Sequence, residues 1–268
     1  MSDTAIGLLH PGEMGAAVGQ CLTAAGHEVL WVPDGRSAAT RKRAAEAGLV
    51  ECEWAEMAAR SDVIVSVCPP AYALDVARQV SGFDGLYLDA NAISPATAGE
   101  VAVIVKAGGA SYVDGGIIGT PPVAPGFIRL YLSGDRAGEV RALFEGSAAD
   151  ARLVAAPGTA SAVKMAYASW TKGSAALLLA ARALARTEGV ESVLLEEWAI
   201  SQPGLEARSA GAAEAAAAKG WRWIAEMEEI AATMAAAGLP EGFHQAAAEI
   251  YRRCPPAGYA QGPRRSDR

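Results

Sequence analysis

Residues Ile6 to Gly15 read IGLLHPGEMG, a glycine-rich turn set between an apolar run and a helical segment. Ala5 to Leu9 precede it, Ala16 to Ala25 can form a helix, and Gly26-His27 breaks before a second apolar run from Val29 to Val32. A strand, a turn, a helix and a second strand in so short a stretch predict a β-α-β unit that starts a parallel sheet. The dinucleotide fingerprint G-x-G-x-x-G would place glycine at 10, 12 and 15, and this chain has His10, Gly12 and Gly15. The second glycine lets the backbone approach a pyrophosphate, and the third lets helix and strand pack closely. The first serves the tight turn, which here falls to His10 and Pro11.

The alternation continues. Strands are expected at 5–9, 28–32, 63–67, 86–89, 111–114, 128–132 and 152–154, with helices at 13–25, 38–47, 55–60, 72–80, 95–106 and 137–146 between them. Such alternation predicts parallel winding, with ligands bound at the carboxyl ends of the strands. After Pro157-Gly158 the character changes. Residues 159–187 hold no proline and a single glycine among many Ala and Leu, which predicts one long helix ended by Gly189. Further helices are expected at 191–201, 205–218, 219–237 and 241–253. The expected fold is therefore α/β: a Rossmann-like, doubly wound NADP-binding domain over 1–157, then an all-helical substrate and dimerisation domain over 158–254, entered through the long inter-domain helix. The Pro-, Gly- and charge-bearing segment 255–268 reads as a flexible tail.

With 268 residues, 51% of them apolar, the chain can bury a substantial core. A net charge of -7 argues against nucleic acid as a partner, which would call for a basic patch. Cys21, Cys52, Cys68 and Cys254 show no metal-ligand spacing, and Cys21 and Cys68 read as free thiols inside a helix and a strand. The three histidines do not cluster, so no metal is expected. No charged segment followed by an apolar one opens the chain, and the apolar run from Gly173 to Arg182 is too short to span a membrane. The expectation is a soluble cytoplasmic protein. A small helical domain with a modest core leaves apolar faces for a partner, so a homodimer through that domain is expected.

After the second predicted strand Asp34 alone would favour NAD. Beyond it stand Arg36, Ser37, Thr40 and Arg41 at the start of a helix. A guanidinium, two hydroxyls and a helix N-terminus suit a phosphate dianion, so NADP is favoured over NAD. The alternative is a solvated basic first turn on a surface helix.

Five segments, in order along almost the whole chain, resemble the β-hydroxyacid dehydrogenase superfamily. That group includes 3-hydroxyisobutyrate and 6-phosphogluconate dehydrogenases and, more remotely, imine reductases. The segments are Gly12 to Gly15, Val65 to Pro69, Asp89 to Pro95, Tyr112 to Gly119 and Gly158 to Lys164. Within the superfamily the chain looks closest to a less characterised subgroup similar to 6-phosphogluconate dehydrogenase. The resemblance implies that Gly12, Glu13, Met14, Gly15, Cys68, Pro69 and Asn91 line the cofactor. It also implies that Ile118, Gly119 and Tyr167 are positions nearest the substrate. Asn91 either orients the substrate or the nicotinamide amide or simply serves a turn. The chain departs from the family at His10, at Ile118 where a substrate-loop serine is usual, and at Tyr167-Ala168 where an asparagine pair is usual. Those departures suggest an ordinary cofactor and an unusual substrate.

Lys164 is the expected catalytic residue, on the first turns of the long helix where an inter-domain cleft should open. In hydroxy-acid oxidation it would accept the hydroxyl proton as hydride leaves for the nicotinamide, and in reduction it would donate one. Desolvation depresses a lysine pKa toward the neutral amine that a base requires. Lys172 lies two turns farther along, either meeting a substrate anion or sitting on the surface. Trp221, Trp223, Glu226 and His244 either roof the cleft or belong to the core or a dimer interface. The leading reading is an NADP-dependent oxidoreductase acting on a small hydroxy or oxo acid. The alternatives are an imine or enamine reductase and an NADP-binding sensor or scaffold without turnover.

Overall fold

The computed structural model describes residues 5–121, 126 and 128–254; the expected tail lies outside them. The chain divides into two compact units, Met1–Met165 and Ala166–Arg268. The division falls inside the long helix, so its first turns go with the sheet.

The first unit carries eight strands: β1 (Ala5–Leu9), β2 (Glu28–Trp31), β3 (Val50–Glu51), β4 (Val63–Ser66), β5 (Leu86–Asp89), β6 (Ser111–Ile118), β7 (Arg129–Ser133) and β8 (Asp150–Leu153). Their order in the sheet is β3-β2-β1-β4-β5-β6-β7-β8. The helices between them are α1 (Glu13–Ala24), α2 (Ala38–Glu46), α3 (Trp54–Arg60), α4 (Ala73–Gln79), α5 (Pro95–Ala107) and α6 (Ala137–Ala142). Winding runs from β1 outward to β3, then returns past β1 to β4, which makes the β1/β4 boundary the topological switch point. In open sheets of this kind the ligand crevice lies there, outside the carboxyl ends of the strands.

Each central strand is buried on both faces, as parallel strands covered by helices must be: β4 and β5 have no exposed position. One apolar cluster joins β1, β4 and β5 to α1 and α6 through Leu8, Val18, Leu22, Val65, Leu88 and Val140. A second packs α4 and α5 against the sheet through Ile64, Val76's neighbour Ala77, Tyr87 and Val101.

The winding is not parallel throughout. β7 runs antiparallel to β6, pairing Asp114 with Ser133 and Ile118 with Arg129. Only ten residues join these two strands, and a parallel partner needs a crossover of a dozen residues or more. The two-residue β3 escaped the sequence reading because it is too short to show a pattern.

The long helix α7 runs from Thr159 to Thr187, with Gly189 at φ +72° just beyond it. α8 (Glu191–Ser201), α9 (Leu205–Ala236) and α10 (Gly242–Arg253) follow. The two helices expected at 205–218 and 219–237 are one. Gly220 continues α9 because one glycine costs only about 1 kcal/mol against alanine in a helix, and its bare face stands against Tyr251. α10 buries His244, Ala247, Ala248 and Tyr251, a helical stripe turned toward α9. Among the described residues no helix is long and apolar enough to cross a membrane.

Candidate active site

The turn after β1 shows why two glycines survive in it and one does not. His10 takes φ +66°, the one non-glycine residue in the left-handed region among the described residues. That conformation costs a side chain about 1–2 kcal/mol, which glycine would avoid. The His10 carbonyl accepts from Gly12 N–H at 2.7 Å and lies where a Cβ on Gly15 would stand, at 2.3 Å. Gly15 is thus demanded by the turn itself. Gly12 is different: a Cβ there would meet only the His10 carbonyl, at 4.0 Å. Nothing in the protein requires that glycine. It opens space beside the start of α1, whose N-cap is Gly12 and carries no side-chain cap. Exposed N–H groups at such a helix start attract an anion.

At the end of β2 the hydroxyls are already engaged. Ser37 caps α2, accepting from Thr40 N–H at 3.2 Å, and its hydroxyl lies 3.1 Å from that of Thr40. Arg41 points back, donating to the Pro33 carbonyl at 2.9 Å and pairing with Glu51 at 3.8 Å. Arg43 donates to Thr40 Oγ1 at 3.2 Å, a second guanidinium at the cap that sequence reasoning did not single out. Arg36 is half-buried, and its Nε has no partner. His10 has a buried Nδ1 with no partner, and burial, then the Arg36 charge, lowers its pKa to about 4. The imidazole is neutral at physiological pH.

A polar row crosses the carboxyl end of the sheet. Register places Leu9 beside Ser66, Ser66 beside Asp89, Asp89 beside Asp114, and Asp114 beside Ser133. The four polar members are buried to within 2%. Asn91 ties the loops after β4 and β5 together: its Oδ1 accepts from Cys68 N–H at 2.6 Å, and its Nδ2 donates to Ser66 Oγ at 3.1 Å. Its own N–H donates to Asp89 Oδ1 at 2.9 Å. Burial, with the Asp114 charge adding to it, pushes the Asp89 carboxyl up to about 7. Cys68 therefore lies just past β4, not inside it, and burial raises its thiol pKa to about 12.

Asp114 fastens α7 to the sheet. Its carboxylate accepts from Ser133 Oγ at 2.8 Å, Ser161 N–H at 3.0 Å and Ser161 Oγ at 2.5 Å. Ser133 Oγ in turn accepts from Ala160 N–H at 3.2 Å. These bonds satisfy backbone donors that a helix start leaves without intrahelical partners. On the same strand, Gly116 lets the helix approach: a Cβ there would stand 2.5 Å from the Ala160 carbonyl and 3.1 Å from Lys164 Cβ. Lys164 is half-buried and held one turn beyond this anchor. Asp114, Ser133 and Ser161 are the residues that sequence reasoning missed as part of the site.

Of the remaining candidates, Ile118 is buried and Gly119 follows it at φ +141°. Tyr167, Ala168 and Lys172 lie farther along α7, in the second unit. Tyr167 is exposed and Ala168 buried. Half-buried Lys172 forms an ion pair with buried Glu226 at 2.5 Å and lies 5.9 Å from the Trp223 ring centre. Tyr251 donates to the Lys172 carbonyl at 2.6 Å and meets Trp223 edge-on at 5.1 Å. His244 is buried against Ser169 and Gly173. Trp223, Glu226 and His244 thus belong to the interior of the helical unit, whereas Trp221 is exposed.

Residues 5–92 match a family described as NADP oxidoreductase coenzyme F420-dependent, and residues 185–254 match a domain of unknown function (DUF1932). An uncharacterised 28.5 kDa protein of Methanothermus fervidus is 30% identical over 171 residues, 63% of this chain and just under two thirds of that one. A conserved protein of unknown function, itself described as structurally similar to 3-hydroxyacid dehydrogenases, superposes with a TM-score of 0.67 at 26% identity. That match covers 93% of this chain and 96% of the other. The Mycobacterium tuberculosis 3-hydroxyisobutyrate dehydrogenase superposes with a TM-score of 0.68 at 21% identity, covering 93% and 92% of the two chains. The chain thus shares its fold with these structures: a Rossmann-type sheet domain, whose residues 5–92 match the NADP-oxidoreductase model, followed by an all-helical region.

Proposed function

We propose that the protein is an NADP-dependent oxidoreductase that moves hydride between nicotinamide and a small hydroxy or oxo acid, with Lys164 as general acid and base. The observation that carries the reading is the anchoring of Lys164. Asp114 and Gly116, on one face of one strand, fix the first turns of α7, one by hydrogen bonds and one by close approach, at the carboxyl end of the sheet where a Rossmann domain binds its ligands.

Gly12 and the uncapped start of α1 suit the pyrophosphate, and Arg36 with the Ser37–Thr40 cap suits an adenosine 2′-phosphate. Bound there, the nicotinamide supplies or takes the hydride. In oxidation the Lys164 amine takes the substrate's hydroxyl proton; in reduction its ammonium gives that proton to the carbonyl oxygen. Asn91, held by Cys68 and Ser66, keeps the loops after β4 and β5 in fixed positions beside this chemistry. Positioned proton transfer of this kind contributes roughly 10²–10⁴-fold to rate.

The helical unit serves assembly, pairing with a second copy of the chain. Trp170, Leu177 and Leu184 are exposed and follow one another at seven-residue intervals along α7, the spacing of a coiled-coil seam. α8 buries none of its residues.

NADPH oxidation across a panel of small oxo acids and imines tests the reading, with Lys164→Ala as control. Turnover of an oxo acid that the substitution abolishes supports it. Turnover of imines alone assigns the imine reductase reading, and cofactor binding without any turnover assigns the sensor.

A further inference from the structure

His10 stands where the fingerprint has glycine, and its left-handed backbone is strained. Hydrogen bonding within the protein does not account for the side chain, since its Nδ1 is buried without a partner. β1 and β2 are parallel neighbours, so the turn after one lies beside the turn after the other. In that second turn, Arg36 N–H donates to the Pro33 carbonyl at 3.1 Å, and Gly35 takes φ +69°. The fold of this turn sets Arg36 close enough to His10 for its charge to bear on the ring, and Arg36 Nε is also buried without a partner. Two nitrogen-bearing groups, one cationic and one neutral, thus stand on neighbouring turns, each with a buried nitrogen that has no partner. A neutral imidazole beside a guanidinium fits a ligand group that is anionic and rich in acceptor oxygens.

We propose that His10 is a specificity-determining residue that, together with Arg36, binds the adenosine 2′-phosphate of NADP(H). The inference rests on the cofactor assignment above and adds to it a residue that the fingerprint would leave as bare glycine. His10 then selects NADP(H) over NAD(H), because NAD(H) offers a hydroxyl where NADP(H) offers a phosphate dianion.

The test is fluorescence titration of the full chain with NADPH and NADH, for wild type, His10→Gly, Arg36→Gln and the double variant. Glycine suits the left-handed turn, so His10→Gly keeps the fold, and the melting temperature of the unliganded variant checks this. The expected result is a roughly tenfold loss of NADPH affinity in His10→Gly, the scale of one hydrogen bond to a charged group. NADH affinity should stay within about twofold of wild type, and the two substitutions should be non-additive for NADPH. If wild type prefers NADPH and His10→Gly keeps the same ratio of affinities, the role of His10 is overturned while the cofactor assignment stands. If wild type binds neither nucleotide, or prefers NADH, the cofactor assignment itself falls and the role of His10 with it.

Discussion

The sheet unit buries its large apolar side chains within itself: Ile6, Leu8, Ile64, Leu86 and Leu88 are all at or below 1% exposure. The helical unit keeps large apolar residues on its outside, with Trp170 at 69%, Leu184 at 63% and Ile200 at 80%. What it buries is mostly alanine with Met227, Ile230 and Tyr251, around the ion pair of half-buried Lys172 with Glu226. The difference teaches a division of labour. The first unit closes its core and carries a finished polar row at the ends of its strands. The second buries mostly small side chains around one ion pair and leaves large apolar residues on its outside.

Lys164→Ala is the widest separation of the two. It should lower turnover by roughly 10²–10⁴-fold while leaving NADPH affinity and oligomeric state as in wild type. A loss of cofactor affinity of similar size would show that the lysine serves binding and not proton transfer. Next comes Glu226→Ala, which leaves Lys172 without its buried partner. Removing one member of a buried pair costs about 3–5 kcal/mol, and the partial exposure of Lys172 puts this pair near 3. Chemical denaturation should show that loss, with NADPH binding by the first unit retained.

Asp114→Asn weakens the anchor of α7 in the sheet unit. Three donors face that carboxylate, and replacing it should cost about 2 kcal/mol. Turnover should fall with it, because Lys164 loses its fixed position; unchanged turnover would mean that Gly116 alone sets the helix. On the outer face of the helical unit, Leu177→Glu should weaken the proposed self-association at least tenfold by sedimentation, at unchanged melting temperature of the isolated chain. A wild-type protein that stays monomeric at all concentrations would end the assembly role.

The smallest effect concerns pH. Asp89 has a folded-state pKa of about 7, against an ordinary value of 3.8, so the folded state binds more protons across that window. Stability therefore falls as pH rises from about 4 to 7. Asp89→Asn removes this dependence. The variant should gain stability relative to wild type as pH rises from about 4 to 7, read by chemical denaturation at each pH.

Much of this architecture was legible from the chain. Thr159 to Thr187 contains no proline, and the predicted long helix has those bounds in the structure. The glycine turn read correctly because both flanking elements are local. What was not legible depends on register. Asp114 and Ser161 are 47 residues apart and meet only because β6 delivers one to the start of the helix that holds the other. Lys172 and Glu226 are 54 apart, so their pairing needed the packed helices to be seen. Nor did spacing tell which arginine turns away: Arg41 bends back to Pro33 and Glu51, while Arg43 reaches the cap. The antiparallel β7 was missed because a strand pattern carries no direction, only the length of the connection does.

The most direct test of the sheet unit as the seat of catalysis is single-turnover oxidation of NADPH by a small oxo acid, in wild type and Lys164→Ala at saturating cofactor. Wild type should consume one equivalent of NADPH rapidly, and the variant should do so at least a hundredfold more slowly with cofactor still bound. Equal rates in the two proteins would contradict the assignment of Lys164 as the proton donor.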